Sequence, residues 1–352
     1  MTIYEKRLRA ALDTQHRQWF DYELKGIRPE YAEHIPCPAC GSNCFSPYME
    51  KDYFSFSHCD QCTMVFLNPR LNVEATYAFY NSEWTSIYNE NKFLGDGGAT
   101  ELDDRINQDN IKLLRRHRLA GISGKPRLLE IGIGSGFFLR AAEDAGFEVH
   151  GIDVDTSNIE RARPRFGERV QNRDLYGVGY AAKVFDVVYM RDVFEHVPNP
   201  GPMLEEINRI SRTGALLYIE VPNIEGWIYR AVGARHVCVF GFAHLNYWSP
   251  TSLATALQRA GYEVAEEVHE SLDCTLTEIV RYHRTTSFTA VFPQRIGRLR
   301  YWLLTALYAL LRLPPLCWLD RALVPALANR FKRGSVLKVV ARKVATSKQS
   351  TQ

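Results

Sequence analysis

The residues from Leu128 to Phe138 constrain the fold more than any other part of the chain. They read L-L-E-I-G-I-G-S-G-F-F, an apolar run followed by three glycines at alternate positions. This order predicts a strand, a tight turn and a helix whose first N–H groups face the turn. Because glycine has no side chain, Gly132, Gly134 and Gly136 let the backbone pass close to a ligand.

A second apolar run, Phe147 to Ile152, ends in Asp153. A carboxylate at the tip of that strand can accept hydrogen bonds from both hydroxyls of a ribose, so we expect a cofactor that contains a nucleoside. The turn reads G-x-G-x-G and not the dinucleotide pattern G-x-G-x-x-G, and Glu130 precedes its first glycine by two residues. A carboxylate there repels a pyrophosphate and suits a ligand with an ammonium or sulfonium group.

An acidic residue followed by G-x-G-x-G resembles the first motif of the class I S-adenosylmethionine-dependent methyltransferases. The resemblance runs from about Arg127 to Ala265. It implies that S-adenosyl-L-methionine is the cofactor, that Glu130 organises its methionine end and that Asp153 holds its ribose. The remaining expected cofactor-binding residues are the glycines and a candidate for the adenine amino group, namely Gly132, Gly134, Gly136 and Asp174. The alternatives are a glycine-rich turn that binds nothing and, for Asp174, a surface turn.

From Arg127 onward, strand and helix patterns alternate, which predicts an α/β fold with a doubly wound, Rossmann-like sheet of seven strands. The bounded strands are expected at Arg127–Ile131, Glu148–Ile152, Val184–Met190, Ala215–Val221, Tyr262–His269 and Ser335–Ala341. The helices are expected at Phe137–Ala145, Asn158–Phe166, Gly201–Ser211 and Ser252–Ala260. About sixty residues with apolar helical runs separate the last two strands, where the family usually has a short hairpin.

The predicted organisation has five parts. They are an N-terminal helical segment (1–34), with one or two helices between Thr2 and Leu24, a zinc-binding ribbon (35–70), a helical linker or cover (71–120), a methyltransferase domain (121–346) with a helical insertion at about 275–333, and a tail (347–352).

Four cysteines stand in two C-x-x-C pairs, Cys37 with Cys40 and Cys59 with Cys62. Two such pairs at this separation predict a tetrahedral zinc site, with Cys44 or His58 as alternative ligands. A zinc ion with four protein ligands has no open position, so its role is structural. The stretch from Pro36 to Arg70 resembles the N-terminal zinc-binding region of methyltransferases from bacterial polysaccharide, deoxysugar and natural-product pathways. The remaining thiols that we considered, Cys238, Cys274 and Cys317, are expected to be ordinary buried cysteines.

The candidate catalytic residues follow the fourth and fifth strands, at the edge where folds of this kind bind ligands. Asp192, Glu195 and His196 are spaced i, i+3 and i+4, which places them on one side if the segment is helical. His244 lies in a loop that faces the same cleft in this topology. Three interpretations stay open. His196 or His244 is a general base, the four residues bind a second divalent metal, or Glu195 and His196 only line the cofactor pocket.

Charge is distributed unevenly along the chain. From Thr285 to the end there are twelve Lys or Arg against Asp320 alone, so this segment carries +11 and the remainder −8. Between Arg295 and Trp318, Arg alternates with Leu, Tyr and Trp, as in a helix pair lying on anionic lipid. The interpretation that we favour from sequence is that this apolar face packs on the methyltransferase sheet. The N-terminus lacks the apolar core of a secretory signal, so we expect a cytoplasmic protein, with peripheral contact at the inner membrane face as the alternative.

These features predict an S-adenosylmethionine-dependent methyltransferase that methylates a hydroxyl of a carbohydrate or secondary metabolite. The expected partner is a small-molecule or glycan acceptor, with a lipid-linked glycan as one form. The alternatives are C- or N-transfer to a sugar or natural product, methylation of RNA, and a non-catalytic scaffold that binds cofactor. Nucleic acid is disfavoured because the basic and aromatic residues form no RNA-binding pattern.

Overall fold

The computed structural model describes residues 3–94, 101–117, 124–134, 136–271, 275–284, 290–292 and 297–344. The predicted tail, Cys274 and Arg295 lie outside these residues. The strands are β1 (Phe20–Asp21), β2 (Gly26–Ile27), β3 (Ala32–Glu33), β4 (Phe45–Lys51), β5 (Phe54–Cys59), β6 (Val65–Leu67), β7 (Arg70–Leu71), β8 (Arg127–Ile131), β9 (Glu148–Asp153), β10 (Val170–Asn172), β11 (Phe185–Arg191), β12 (Ser211–Pro222), β13 (Asn246–Tyr247), β14 (Tyr262–Glu270) and β15 (Val336–Lys343).

The helices are α1 (Ile3–Trp19), α2 (Val73–Tyr80), α3 (Glu83–Leu94), α4 (Glu101–Arg116), α5 (Phe137–Asp144), α6 (Thr156–Phe166), α7 (Leu175–Val178), α8 (Pro200–Ile210), α9 (Trp227–Val232), α10 (Pro250–Arg259), α11 (Leu276–Arg284), α12 (Arg298–Leu311) and α13 (Pro314–Arg330). Short 3-10 turns interrupt the chain, and the one that bears on the site is Phe194–His196.

The predicted seven-stranded sheet is confirmed. Its strand order is β10-β9-β8-β11-β12-β15-β14, and β15 alone among these seven runs antiparallel to its neighbours. Since the other six strands are parallel, the carboxyl ends of β8, β9 and β11 meet at one edge of the sheet. That edge carries the glycine turn, Asp153 and the 3-10 turn after β11.

Alternating side chains of the strands cover the two faces of the sheet. In β8, Leu129 belongs to the core that includes α8, α10 and part of the ribbon, whereas Leu128 belongs to the core that includes α4, α5 and α6. Both side chains are fully buried. A parallel sheet covered on both faces needs such runs of apolar residues, and these runs are the reason that the strands could be placed from sequence.

The ribbon is joined to the methyltransferase sheet region by backbone pairing. Its four-stranded sheet has the order β13-β6-β5-β4, and β13 comes from the loop after β12. Asn246 pairs with Phe66, and Tyr247 pairs with Val65. The ribbon therefore holds the segment that carries His244.

The N-terminal segment differs from the prediction at its end. Helix α1 ends at Trp19, and the chain turns into the β1–β2 hairpin before Leu24. The Asp21 carboxylate accepts hydrogen bonds from the N–H groups of Glu23 and Leu24. An aspartate that bonds to the backbone two and three residues ahead stabilises a turn and competes with the helix.

The insertion is helical, as predicted, but apart from a contact with the edge strand β14 its apolar face does not pack on the sheet. Helix α12 packs on α11, and α13 touches α11 and β14. Within α13 only Asp320 and Ala328 are buried, and the large apolar side chains of both helices point mainly to solvent. The favoured interpretation of this face is therefore wrong. Periodicity showed an apolar stripe but not which surface would cover it.

Candidate functional site

The four cysteines of the two C-x-x-C pairs converge. Their sulfurs all lie within 4.8 Å of one another, with 3.5 Å between Cys37 and Cys62 and 3.6 Å between Cys40 and Cys59. Zinc–sulfur bonds of about 2.3 Å in a tetrahedron put the sulfurs about 3.8 Å apart, so these residues fit zinc. The pKa of the Cys37 thiol is lowered to about 5, chiefly by the hydrogen bond from Cys62. A thiolate is the form that binds zinc.

The alternative ligands lie outside this cluster. Cys44 is exposed, and His58 lies in β5, with its Nδ1 atom 3.8 Å from the Asp60 carboxylate. Cys238 and Cys317 are half-buried and lie outside the group of four. A structural zinc ion held by Cys37, Cys40, Cys59 and Cys62 stays a prediction that the geometry supports.

The glycine turn after β8 has left-handed backbone at all three glycines, with φ of 76° at Gly132, 50° at Gly134 and 71° at Gly136. A side chain at Gly132 would meet Val193 Cγ2 at 2.4 Å, so this glycine lets the segment after β11 pack on the turn. A side chain at Gly134 would meet nothing within 4 Å. Gly134 therefore borders open space, whereas Gly136 serves as the N-cap of α5.

Asp153 is nine-tenths buried at the end of β9, and its carboxylate points at the glycine turn. It accepts hydrogen bonds from Gly134 N at 3.0 Å, Asp155 N at 2.8 Å and Asn158 Nδ2 at 3.0 Å. Burial raises the pKa of Asp153, and these three donors oppose the shift. The aspartate thus lies where the sequence placed it, beside the turn. Its role in holding a ribose stays a prediction.

Glu130 is the penultimate residue of β8, and its side chain is buried. Its Oε2 atom has no hydrogen-bond partner in the described structure. Burial raises the pKa of Glu130 well above its ordinary value, and the nearby Arg191 guanidinium opposes that shift. A buried carboxylate oxygen without a donor costs free energy, and a cationic ligand such as an ammonium or sulfonium would offset that cost. This oxygen and the open space at Gly134 fit S-adenosylmethionine.

Three predicted catalytic residues come together beyond the end of β11. Glu195, His196 and His244 each offer a ligand atom within 4.8 Å of the others. The two imidazole rings are perpendicular, with centroids 4.7 Å apart. Glu195 is almost fully buried, and its Oε2 atom and His244 Nδ1 have no hydrogen-bond partner among the described residues. Burial, and then the charge of His196, lowers the pKa of His244 well below its ordinary value, so His244 is neutral.

His196 is fixed in one tautomer. Its Nδ1 atom lies 3.0 Å from the backbone oxygen of Ala243, and since a carbonyl only accepts, Nδ1 carries the proton. In the neutral ring the lone pair is then on Nε2, which lies 3.8 Å from Glu195 Oε1, beyond hydrogen-bond distance. This is the protonation pattern that a general base needs.

Asp192 does not join the cluster, contrary to the prediction. Its backbone is left-handed, with φ of 54°, and its side chain is exposed. The helical turn begins only at Phe194, so the i, i+3 and i+4 spacing does not place Asp192 beside Glu195 and His196. Asp174 caps α7, where its carboxylate accepts from Gly177 N at 2.6 Å. A contact between Asp174 and adenine stays a prediction.

Two groups of residues near these positions were not singled out from sequence. The Tyr80 hydroxyl donates to Ala243 O at 3.3 Å, the same oxygen that His196 bonds. Burial raises the pKa of Tyr80, so it remains a donor. Arg191, the last residue of β11, bonds Asn107 Oδ1 of α4 at 3.0 Å. Both Tyr80 and Asn107 belong to the stretch predicted as linker or cover, and no local motif marks either of them.

Comparison with known proteins agrees with this geometry. Residues 104–267 match the family model described as "Methyltransferase domain". The chain is 28% identical over 161 residues to the protein of Aromatoleum aromaticum named ubiquinone biosynthesis O-methyltransferase, an alignment that spans 42% of this chain and 68% of that protein. The protein of the same name from Thiobacillus denitrificans is 26% identical over 188 residues, spanning 50% of this chain and 80% of that one.

Among solved structures, a SAM-dependent methyltransferase from Archaeoglobus fulgidus superposes with a TM-score of 0.45 at 16% identity, over 74% of this chain and 100% of that one. The family match covers the glycine turn, Asp153 and the Glu195–His196 turn. Residues 104–267 therefore form an S-adenosylmethionine-dependent methyltransferase domain, which makes the chain an enzyme of methyl transfer.

Proposed function

We propose that the chain methylates a hydroxyl oxygen of a carbohydrate or secondary metabolite, with His196 as the general base. The observation that carries this proposal is the tautomer of His196. Its Nδ1–H is held by Ala243 O, which directs the basic Nε2 toward the side that Glu195 and His244 share. A hydroxyl must lose its proton as it is methylated, whereas a neutral amine attacks through its nitrogen lone pair and can lose its proton afterwards.

Oxygen as the methylated atom is also supported by the names of the relatives, which are O-methyltransferases of ubiquinone biosynthesis. The preference for a carbohydrate or secondary-metabolite acceptor rests on the ribbon, whose sequence resembles that of sugar and natural-product methyltransferases.

The residues of the chain divide the work as follows. Bound S-adenosylmethionine supplies an electrophilic methyl group on a sulfonium ion. Glu130 would face the cationic end of the cofactor, and Asp153 would accept hydrogen bonds from its ribose. As the acceptor oxygen takes this methyl group, its proton would move to His196 Nε2. His244 is neutral, so it adds no repelling charge to the imidazolium that forms.

A second candidate is metal-assisted transfer. Glu195, His196 and His244 have the donor atoms and the closeness for one divalent ion, and a bound ion would acidify the hydroxyl directly. In that case His196 Nε2 would be a ligand and not a base. The two candidates differ in their response to a chelator.

The test is methyl transfer from radiolabelled S-adenosylmethionine to a panel of sugar and phenolic hydroxyls, amines and carbon acceptors, measured for the parent and for His196→Gln. We expect His196→Gln to lower kcat by about 10² to 10⁴ while binding of S-adenosylhomocysteine is unchanged. His58→Gln, a histidine of the ribbon outside the cluster, is the matched control and should keep the parent's kcat.

Two results would reject the proposal. An unchanged kcat in His196→Gln would mean that His196 is not the general base. Methyl transfer only to amine or carbon acceptors would mean that the chain does not methylate oxygen. If EDTA abolishes activity in the parent and Mn²⁺ restores it, the metal-assisted alternative is the correct one.

A further inference from the structure

Helices α12 and α13, together called the apolar helix pair, carry the largest set of exposed apolar side chains in the described structure. Trp302 is 67% exposed, Trp318 69% and Leu299 75%. The large exposed apolar residues in this part of the chain are Leu299, Tyr301, Trp302, Leu303, Leu307, Leu310, Leu313, Leu316, Trp318, Leu319, Leu323, Leu327 and Phe331. An exposed apolar surface of this extent marks a site of interaction, because contact of so much apolar area with water is unfavourable.

None of the described residues covers this surface. Helix α12 rests on α11, where Tyr308 lies between Arg284 and Arg312, whose guanidinium carbons are 4.3 Å and 5.6 Å from its ring centre. That side of α12 is half-buried, and the opposite side faces solvent. The helix pair is therefore fixed to the domain by one side and presents the other.

The charges of the pair have one sign on its surface. Residues 297–333 contain seven Arg or Lys and a single acid, Asp320. Asp320 is buried, and its carboxylate accepts hydrogen bonds from Leu276 N at 2.6 Å and Thr277 N at 2.9 Å at the start of α11. The only acid is thus used inside the fold, while Arg300, Arg312, Arg321 and Arg330 are exposed.

This charge pattern indicates which partner can cover the apolar helix pair. In a two-fold dimer, the helix pair of one copy would face the same helix pair of the other. Their arginines would then come together with no exposed carboxylate to pair with them. An anionic bilayer supplies phosphates for the arginines and acyl chains for the leucines. Exposed Trp and Tyr beside Arg are also the residues that lie at a membrane–water boundary.

The bend in the pair bears on how deep it lies. Among the described residues no single helix is both long and apolar enough to cross a bilayer. The segments Leu299–Leu311 and Pro314–Arg330 reach the required length and apolarity only together, and they are bent by 89° at the break between them. We propose that the apolar helix pair is a docking surface for an anionic lipid bilayer, lying in the interface with its arginines at the headgroups. This surface is separate from the proposed chemistry, so either proposal can fail alone.

The test is sedimentation of the full chain with vesicles of phosphatidylcholine alone and with vesicles in which half of the lipid is phosphatidylglycerol. We expect binding to the anionic vesicles at low salt, and weaker binding as salt screens the arginines. Arg300→Glu/Arg321→Glu should bind at least about tenfold more weakly, since each basic residue near the surface contributes to attraction. Trp302→Ser/Trp318→Ser should also lose at least about tenfold, because less apolar area enters the interface.

The matched control is Arg7→Glu/Arg163→Glu, which makes the same charge change at two exposed arginines outside the pair. It should bind as the parent does. Equal thermal unfolding of all variants shows that the fold is kept, since the substituted side chains are exposed. The proposal is overturned if the parent stays in the supernatant with both vesicles, or if the control loses as much as the pair variants. A dimer in light scattering that Trp302→Ser/Trp318→Ser dissociates, with no vesicle binding, would identify a second copy as the occupant instead.

Discussion

Two clusters of potential metal ligands lie among the residues that the structure describes, and they are built in opposite ways. The four sulfurs of the ribbon contact one another in two pairs, Cys37 with Cys62 and Cys40 with Cys59, and together form one complete set of zinc ligands. The cluster of Glu195, His196 and His244 contains two buried polar atoms, Glu195 Oε2 and His244 Nδ1, that have no hydrogen-bond partner in the described part of the chain. A closed set stabilises a fold, whereas an open set costs stability and is kept where a ligand or a reacting group completes it.

The closed cluster also supports the open one. Leu245, next to His244, donates its N–H to Glu195 O at 3.0 Å and accepts at its own oxygen from Leu67 N of the ribbon at 3.2 Å. Strand β13, directly after Leu245, pairs with β6. The loop that carries His244 is thus a part of the ribbon sheet, and we infer that the zinc ribbon acts on catalysis by holding this loop in place.

The largest expected effect comes from opening the closed cluster. Cys59→Ser should take the chain from one bound zinc ion to none and unfold the ribbon, since zinc-binding free energies of about 10–16 kcal/mol are folding free energy in small zinc modules. Because the ribbon holds the His244 loop, methyl transfer should fall to background as well. Metal analysis, thermal unfolding and the methyl transfer assay measure the three effects.

Cys44→Ser is the matched control for this experiment. Cys44 is an exposed thiol of the same ribbon, outside the four. It should keep zinc, stability and activity. A zinc content that is unchanged in Cys59→Ser, or lost in Cys44→Ser, would mean that the ligand set is wrong. Normal activity in a zinc-free chain would mean that the zinc ribbon does not support the Glu195, His196 and His244 cluster.

The next largest effect is expected at the glycine turn. Asp153→Ala should bind S-adenosylhomocysteine about 100-fold more weakly, because two hydrogen bonds from a ribose to a charged carboxylate contribute about 1.5 kcal/mol or more each. Asn158→Ala removes one donor to the same carboxylate but leaves the carboxylate itself, so it should lose about tenfold at most. Calorimetric titration measures both. Parent-like binding by Asp153→Ala would exclude the aspartate from the cofactor site.

Local patterns predicted the parts of this fold whose cause is local. Strand β8 lies at Arg127–Ile131 as expected. A short, mainly apolar run directly before a glycine turn is typical of a buried strand. The cysteines converge because each C-x-x-C loop is short. What sequence missed depends on distant contacts. Pairing of β13 with β6 joins residues about 180 positions apart, and Tyr80 reaches Ala243 across the molecule.

The same distinction explains the errors at the site. Spacing alone put Asp192 beside Glu195 and His196, but the chain takes a left-handed residue there before the turn at Phe194. The packing of Val193 on Gly132 depends on β11 lying next to β8, which a single sequence does not display. Residue types at strand tips were therefore predictable, and the directions of their side chains were not.

The smallest expected effect concerns a second open position, Glu130. Burial raises the pKa of this carboxyl in the folded chain. With respect to this group, the folded chain is therefore most stable at acid pH, where Glu130 is neutral in both states, and it loses stability as pH rises through the folded-state pKa. Glu130→Gln does not titrate. Above about pH 4.3, the ordinary pKa of a glutamate, the variant should gain stability over the parent by up to about 1.4 kcal/mol for each pH unit. Denaturant unfolding at a series of pH values measures the difference.

Glu143→Gln is the control of opposite sign. Partial burial raises the pKa of Glu143, but the hydrogen bonds from Arg169 and Arg165 outweigh it and lower that pKa overall. This carboxylate stabilises the fold above its ordinary pKa, so its variant should be slightly less stable than the parent at neutral pH and equal to it at acid pH. If Glu130→Gln gains stability at neutral pH and also binds S-adenosylmethionine more weakly, the unmatched carboxylate is kept for the cofactor at a cost to the fold. A stability difference that does not change with pH would show that Glu130 is not the buried charge at this edge of the sheet.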